Sequence, residues 1–312
     1  MEKEKLHVII GSGPVGLAVM DELIKKGANL RLVNRNGKAK IPQEVTVLQA
    51  DVSNHEESLR ACDGADVVYH CAAPSYTEWS ELFPALTQGI VVGAKSAGAR
   101  LVYADNLYAY GPAPQPMDED LPLQKRGPLT NTRKKMQEML MDAHQAGELE
   151  VVIIKASDYF GPRATSSHMG NRVFPNLIKG KSASIIGDPD QPHSFTFIRD
   201  FAKAMVLAGG SPEAAGQVYH VPEAETLTPR EFIQLAASLA GKDIKVNGMG
   251  KGMMTILGIF VPILRTLKEE VYQFEQPFIV DSSKFKTQFG DISTPLDKAL
   301  EETLEWYQRE YQ

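Results

Sequence analysis

The chain is 312 residues long, 43% hydrophobic and 23% charged, with a formal net charge of -6 at pH 7. That length can bury one large core or two modest ones, and the composition excludes disordered and low-complexity classes. The acidic balance excludes a surface built to attract nucleic-acid phosphates, and Cys62 and Cys71 make neither a disulfide framework nor a four-ligand metal site, so no metal is expected.

Leu6–Ile10 reads as a strand, reached directly from a charged N-terminus with no signal-peptide pattern, which predicts a cytoplasmic protein. Residues 15–25 have the apolar spacing of a helix. Residues 30–34 and 45–49 are the next strands, 55–62 a helix, and 67–71 a fourth strand in which Cys71 reads as a buried free thiol. A helix at 83–97 and a fifth strand at 100–104 follow. Strands separated by helices predict a parallel sheet with right-handed crossovers, the doubly wound α/β class.

Residues 111–128 hold several prolines and the acidic run Asp118-Glu119-Asp120, and read as a solvated loop. A helix over about 132–145 carries Met136, Met139, Leu140 and Ala143 at helical spacing, and 151–155 is a sixth strand. Regularity then weakens across 160–186 and 221–278. Between these, 201–208 reads as a helix and 217–221 as a strand returning to the first domain, so the second domain is interleaved with the first. The most apolar stretch, 253–264, falls short of the ~20 residues of a membrane span. It reads as a buried helix or a lid over an apolar ligand surface, and no membrane association is expected.

The run Gly11-Ser12-Gly13-Pro14-Val15-Gly16 follows the first strand and opens the first helix. In that context Gly11 permits a tight turn, Gly13 lets backbone approach a pyrophosphate, and Gly16 allows close helix–strand packing. Pro14 suits the first helical position, and the helix N-terminus offers free N–H groups to phosphate. A nicotinamide dinucleotide is the expected ligand. At the end of the second strand stand Asn34 and Arg35, with no acid until Glu44. A carboxylate there would accept from the ribose 2′-hydroxyl of NAD, whereas Arg35, helped by Lys38 or Lys40, suits the 2′-phosphate of NADP. NADP is preferred and NAD stays open.

Taken in order, further motifs resemble the extended and atypical short-chain dehydrogenase/reductase superfamily, particularly its NAD-dependent epimerase/dehydratase branch. They are the glycine loop, Asp51-Val52, Ala72-Ala73-Pro74, and Tyr108-Ala109-Tyr110-Gly111-Pro112. Lys134 with Glu138, Asp158 to Arg163, Phe197-Ile198-Arg199-Asp200, and Asp281 to Trp306 complete the series. The resemblance implies that Asp51 and Val52 contact the adenine, that Ala72, Ala73 and Pro74 flank the cofactor, and that Lys134 bonds the nicotinamide ribose. It also implies an NAD(P)-binding Rossmann domain over residues 1–155, with about 194–220 and 279–285. A smaller substrate region would comprise 156–193, 221–278 and 286–312, its substrate a small molecule, commonly a nucleotide sugar, and the assembly a homodimer.

The chain departs from the branch at the reacting centre. Counting back from Lys134 puts Thr130 where the family has its tyrosine, and Asn106 stands near the family's serine or threonine. Thr130 does not titrate usefully near neutral pH, whereas Asn106 can orient a carbonyl through its amide. Tyr108 is the candidate substitute acid, although an aromatic in this Tyr-rich segment reads more readily as packing or cofactor contact. His168 and His193 are further proton sources that read more readily as surface or core histidines. Asp105 reads as a capping or loop residue. The expectation is an NAD(P)-dependent oxidoreductase or epimerase, and the alternative a non-catalytic NADP(H)-binding regulator that has lost the tyrosine.

Overall fold

Short apolar runs and amphipathic helices assemble a seven-stranded sheet in a computed structural model that describes residues 4–43, 45–249 and 268–311. The stretch 253–264 lies outside the described residues. The strands of this sheet are β1 (Leu6–Ile10), β2 (Asn29–Asn34), β3 (Thr46–Gln49), β4 (Val67–His70), β5 (Arg100–Asn106), β6 (Val151–Ala156) and β10 (Gln217–His220). Their order is β10-β6-β5-β4-β1-β2-β3. The pairs β3–β2, β2–β1, β1–β4 and β4–β5 are parallel. Central strands covered on both faces read as continuous apolar runs, and Val8 to Ile10, Leu101 to Tyr103 and Val151 to Ile154 are all buried.

The flanking helices are α1 (Pro14–Lys25), α2 (His55–Cys62), α3 (Trp79–Ala97), α4 (Pro128–Gln145) and α6 (Ile198–Gly210). From β1 the chain winds outward to β3, then returns to β4 on the other side of β1. The strand order therefore reverses between β1 and β4, the place where doubly wound sheets bind dinucleotides beyond the strand C-termini.

Two boundaries differ from expectation and both matter to the site. β5 runs on to Asn106 instead of ending at 104, which carries Asp105 into a strand and out of the expected loop role. α4 begins at Pro128, not 132, because a proline at the first helical position loses no hydrogen bond, and Thr130 consequently lies within the helix.

The chain divides into two compact units. The first comprises Met1–Ala109, Leu123–Lys155 and Phe201–Tyr219, and the second Tyr110–Pro122, Ala156–Asp200 and His220–Gln312. Residues 194–200 and 279–285, assigned above to the nucleotide domain, thus group with the second unit. The proline-rich segment does too, and it is not simply solvated. Met117 is buried and exchanges backbone hydrogen bonds with Ile279 and Asp281, while Glu119 accepts from the His220 N–H at 2.7 Å.

The second unit holds β7 (Asp158–Phe160) parallel to β9 (Phe195–Phe197), and β8 (Ala183–Ile186) parallel to β11 (Val246–Met249). Its helices are α5 (Phe174–Ile178), α7 (Pro229–Leu239), α8 (Ser283–Phe289) and α9 (Leu296–Tyr311). Phe160, Phe174, Phe195, Phe232, Leu300 and Tyr307 pack in one apolar core. Thr228 and Glu231 close a reciprocal capping box at the start of α7.

Candidate functional site

The turn from β1 into α1 is sterically specific. Gly11 has φ +107°, and a Cβ there would lie 2.7 Å from the Ala72 nitrogen. A Cβ on Gly16 would lie 1.9 Å from the Gly11 oxygen. Both positions therefore require glycine for the turn and helix to close on the segment after β4. Gly13 is different: a Cβ there meets nothing within 4 Å. Its backbone is exposed and extended, and among the described residues no side chain caps α1 and no acid sits in its first turn. Protein packing does not explain a glycine at 13, but close approach by a phosphate does. The cradle fits a dinucleotide, with Pro14 and Val15 half-buried beside it.

On the other side of the switch point Ala72 is half-buried, Ala73 exposed and Pro74 half-buried, the Pro74 carbonyl accepting from Trp79 Nε1 at 3.1 Å. At the end of β2 the Asn34 amide donates to Ser12 Oγ and to the Lys38 carbonyl, both at 3.0 Å, so it ties the strand end to the glycine loop. Arg35 is exposed. Asp51, also exposed, accepts from the Ser53 hydroxyl and N–H, which hold its carboxyl below its ordinary value with a smaller contribution from the nearby Arg35 charge. Val52 is buried.

At the far end of β5 the candidate reacting residues take distinct places. Asn106 is half-buried, and its Oδ1 accepts from the Tyr108 N–H at 3.2 Å. Tyr108 is half-buried, its ring 6.0 Å from that of Trp79. Thr130 is wholly buried. Lys134 is half-buried, with Nζ donating to the Leu123 carbonyl at 3.1 Å and standing 3.5 Å from Glu138. Met136 and Leu140 are buried in the unit, while Met139 and Ala143 are half-buried.

Between these residues lies a charged cluster that the sequence reading did not anticipate. Asp105 gives one carboxylate oxygen to Arg133 at 3.0 Å and the other to Lys155 at 2.6 Å. All three side chains are buried, Asp105 and Lys155 completely. Lys155 also donates to the Asn106 carbonyl at 3.1 Å, and Arg133 donates to the Tyr103 hydroxyl at 2.7 Å. The Arg133 Nε finds no partner among the described residues, and the guanidinium lies 4.2 Å over Trp79 and 4.8 Å over Phe83. Those aromatic faces replace part of the water a buried cation loses. Burial drives the Lys155 ammonium below the ordinary lysine range, with Asp105 opposing that shift.

The second unit contains a separate polar cluster. His193 is buried, with Nδ1 3.1 Å from the Gln273 carbonyl and Nε2 2.9 Å from Asp158 Oδ2. A carbonyl only accepts, so Nδ1 donates to it. Burial works to raise the Asp158 carboxyl, but the His193 hydrogen bond and charge outweigh it and leave the group below its ordinary value. His168 stacks on Phe274 at 4.1 Å, burial lowers it to about 4, and its Nε2 has no partner among the described residues. His193 is thus a core histidine, and His168 is half-buried. Half-buried Glu223, accepting from Thr196 Oγ1 at 2.8 Å, is pushed up by burial to about 7.

A raised carboxyl favours the folded state only while protonated, so this contribution is intact below about pH 4.5 and lost as pH climbs through about 7. Glu223→Gln should therefore gain about 2 kcal/mol on the parent between pH 4 and pH 8, allowing for partial exposure. Urea unfolding at the two pH values measures it, and parallel parent and variant curves would refute it.

With this geometry in view, residues 8–221 match the NAD dependent epimerase/dehydratase family. The chain belongs to that family. It is 26% identical over 303 residues to a 3beta-hydroxysteroid-dehydrogenase/decarboxylase of Arabidopsis thaliana, covering 84% of this chain and 52% of that protein. The chain thus spans about half the length of that relative. It is 21% identical to a UDP-N-acetyl-alpha-D-glucosaminuronate decarboxylase of Bacillus cytotoxicus, over 98% of both chains. Among solved structures, a UDP-glucuronic acid 4-epimerase from Bacillus cereus, in complex with UDP-glucuronic acid and NAD, superimposes with a TM-score of 0.79. That pair is 19% identical and covers 98% of this chain and 100% of the other, a likeness of fold.

The family match bears out the expected resemblance, and the seven-stranded sheet bears out the doubly wound fold. Among the described residues no helix is long and apolar enough to cross a membrane. The residues missed from sequence are Arg133, Lys155, Glu223 and the pairing of Asp158 with His193. Lys155 had a visible signal, as a cation at the end of the apolar run Val151 to Ile154, whereas Arg133 stands in the polar stretch Thr130 to Lys135 and had none.

Proposed function

We propose that this family member is an oxidoreductase or epimerase/dehydratase-like enzyme that prefers NADP(H) and acts on a carbonyl or hydroxyl of a small substrate. The observation that carries the reading is Gly13, where the missing Cβ leaves open space at an uncapped helix N-terminus. A bound nicotinamide supplies the hydride acceptor or donor. Gly11, Gly13, Pro14, Val15 and Gly16 seat the pyrophosphate, Asp51 and Val52 border the adenine, and Ala72, Ala73 and Pro74 border the ribose beyond the switch point. Lys134 holds the nicotinamide ribose, Asn106 orients the substrate oxygen, and Tyr108 takes over the proton that Thr130 cannot carry. A cytoplasmic homodimer is the assembly we expect.

Arg35 and the absence of an acid at the end of β2 support NADP over NAD. Arg35→Ala should weaken NADP(H) binding about tenfold and change NAD(H) binding less than twofold, as calorimetric titration would record. An unchanged preference would remove this argument.

The names of the relatives set the substrate panel: UDP-linked uronic acids and 3beta-hydroxysteroid carboxylates, with simple carbonyl compounds added. Turnover at the nicotinamide that falls in Tyr108→Phe supports the enzyme. Tight NADPH binding without turnover across the panel, and no effect of Tyr108→Phe, would favour a redox-sensing regulator. The burial of Thr130 at the position of the tyrosine is the observation on that side.

A further inference from the structure

In a doubly wound sheet one mononucleotide half lies over β1–β2–β3 and the other over the strands beyond the switch point. Here those are β4, β5 and β6. If the glycine loop seats the pyrophosphate, as proposed above, the nicotinamide half belongs at the C-terminal ends of β4 to β6. Asp105 and Lys155 are the next-to-last residues of β5 and β6, and Arg133 on α4 closes on the same carboxylate. Lys155 donates at 2.6 Å to the Asp105 carboxylate and at 3.1 Å to the Asn106 carbonyl, the bonding of an ammonium. Two cations thus divide one carboxylate, and the three groups together carry one positive charge.

Their placement makes that charge effective. Asp105 and Lys155 have no exposed side-chain surface and Arg133 little, so neither water nor salt screens them as it screens surface charges. They are also fixed: Lys155 is tied to the Asn106 carbonyl, and Arg133 is held between Tyr103, Trp79 and Phe83. A nicotinamide ring is cationic when oxidised and neutral when reduced. A fixed positive field at the ends of β5 and β6 therefore repels the oxidised ring and leaves the reduced ring unaffected.

We propose that the Arg133–Asp105–Lys155 cluster poises the bound cofactor toward its reduced form, with Lys155 as the charge that sets the bias. The cluster acts on the cofactor through space, so its members are positioning and tuning residues, not proton donors. This inference rests on the dinucleotide reading and goes beyond it, since it assigns a role to residues outside the glycine loop and outside the candidate acid–base set.

The test is the ratio of dissociation constants for NADP+ and NADPH, measured by calorimetry on the full-length protein without substrate. Lys155→Met removes the charge at similar length, and the ratio should fall about fivefold, equivalent to ~20 mV for the two-electron couple. Asp105→Asn, measured on its folded fraction, should move the ratio in the opposite direction. A merely structural role would weaken both ligands together and leave the ratio in place. If both forms bind the parent and Lys155→Met leaves the ratio unchanged, the inference is overturned while the dinucleotide reading stands. If neither form binds the parent, the dinucleotide reading falls and takes this one with it.

Discussion

Gly13→Ala is expected to leave the protein folded and cost at least about a hundredfold in dinucleotide affinity. The backbone at Gly13 is ordinary, with φ -73° and ψ -179°, so alanine adopts it without strain. The added Cβ meets no protein atom within 4 Å. The cost to folding is therefore that of a poorer helix cap, about 1 kcal/mol or less, which shifts Tm by no more than ~3 °C. The same methyl fills the space through which a pyrophosphate reaches the α1 amides, and it takes from each ligand the charge-assisted hydrogen bonds made there. Gly16→Ala is the contrasting control. Its Cβ would lie 1.9 Å from the Gly11 oxygen, so α1 must move off the turn and the protein loses several kcal/mol of stability, about what severe overpacking costs. Thermal melts with NADPH titrations separate the two. Undiminished binding by Gly13→Ala would place the dinucleotide elsewhere or remove it.

The contrast between these glycines also marks how far the sequence could be read. Apolar runs and the glycine spacing identify the sheet, because strands covered on both faces leave no room for polar residues except at their ends. The same rule holds a signal for the cluster, which the reading of Asp105 as a capping or loop residue misses. Lys155 ends the run Val151-Val152-Ile153-Ile154, and Asp105 follows Leu101-Val102-Tyr103-Ala104, each a charge where a central strand should be apolar. What sequence could not supply was that β5 and β6 are neighbours and that α4 starts a turn early, which together bring Arg133 to the same carboxylate. The second unit was harder still. His193 meets Asp158, 35 residues away in sequence, because β7 and β9 pair with Asp158 opposite Phe195. No local pattern encodes such a pairing, and His193 by itself resembles any buried histidine.

Asp105→Asn is expected to destabilise the protein by about 3–5 kcal/mol, the cost of removing one partner from a buried ion pair. The amide keeps one acceptor oxygen, but its NH2 group must face Arg133 or Lys155, both of which only donate. Two buried cations then confront each other without the carboxylate that separates them. Lys155→Met should behave differently. Arg133 and Asp105 remain as a pair, the Lys155 side chain gives way to an apolar one of similar length, and such replacements are often neutral or stabilising. The double variant supplies the sharpest comparison. With Lys155 already replaced by Met, Asp105→Asn strands one cation instead of two, so its cost should fall by at least ~1 kcal/mol relative to the same change in the parent. Urea unfolding of the four proteins in the cycle gives that coupling energy directly. A coupling near zero would mean that Lys155 is uncharged where it sits, which would undercut both its electrostatic partnership with Asp105 and its influence on the cofactor; a coupling of the expected sign fixes Asp105 as the group that makes two cations tolerable at the ends of β5 and β6.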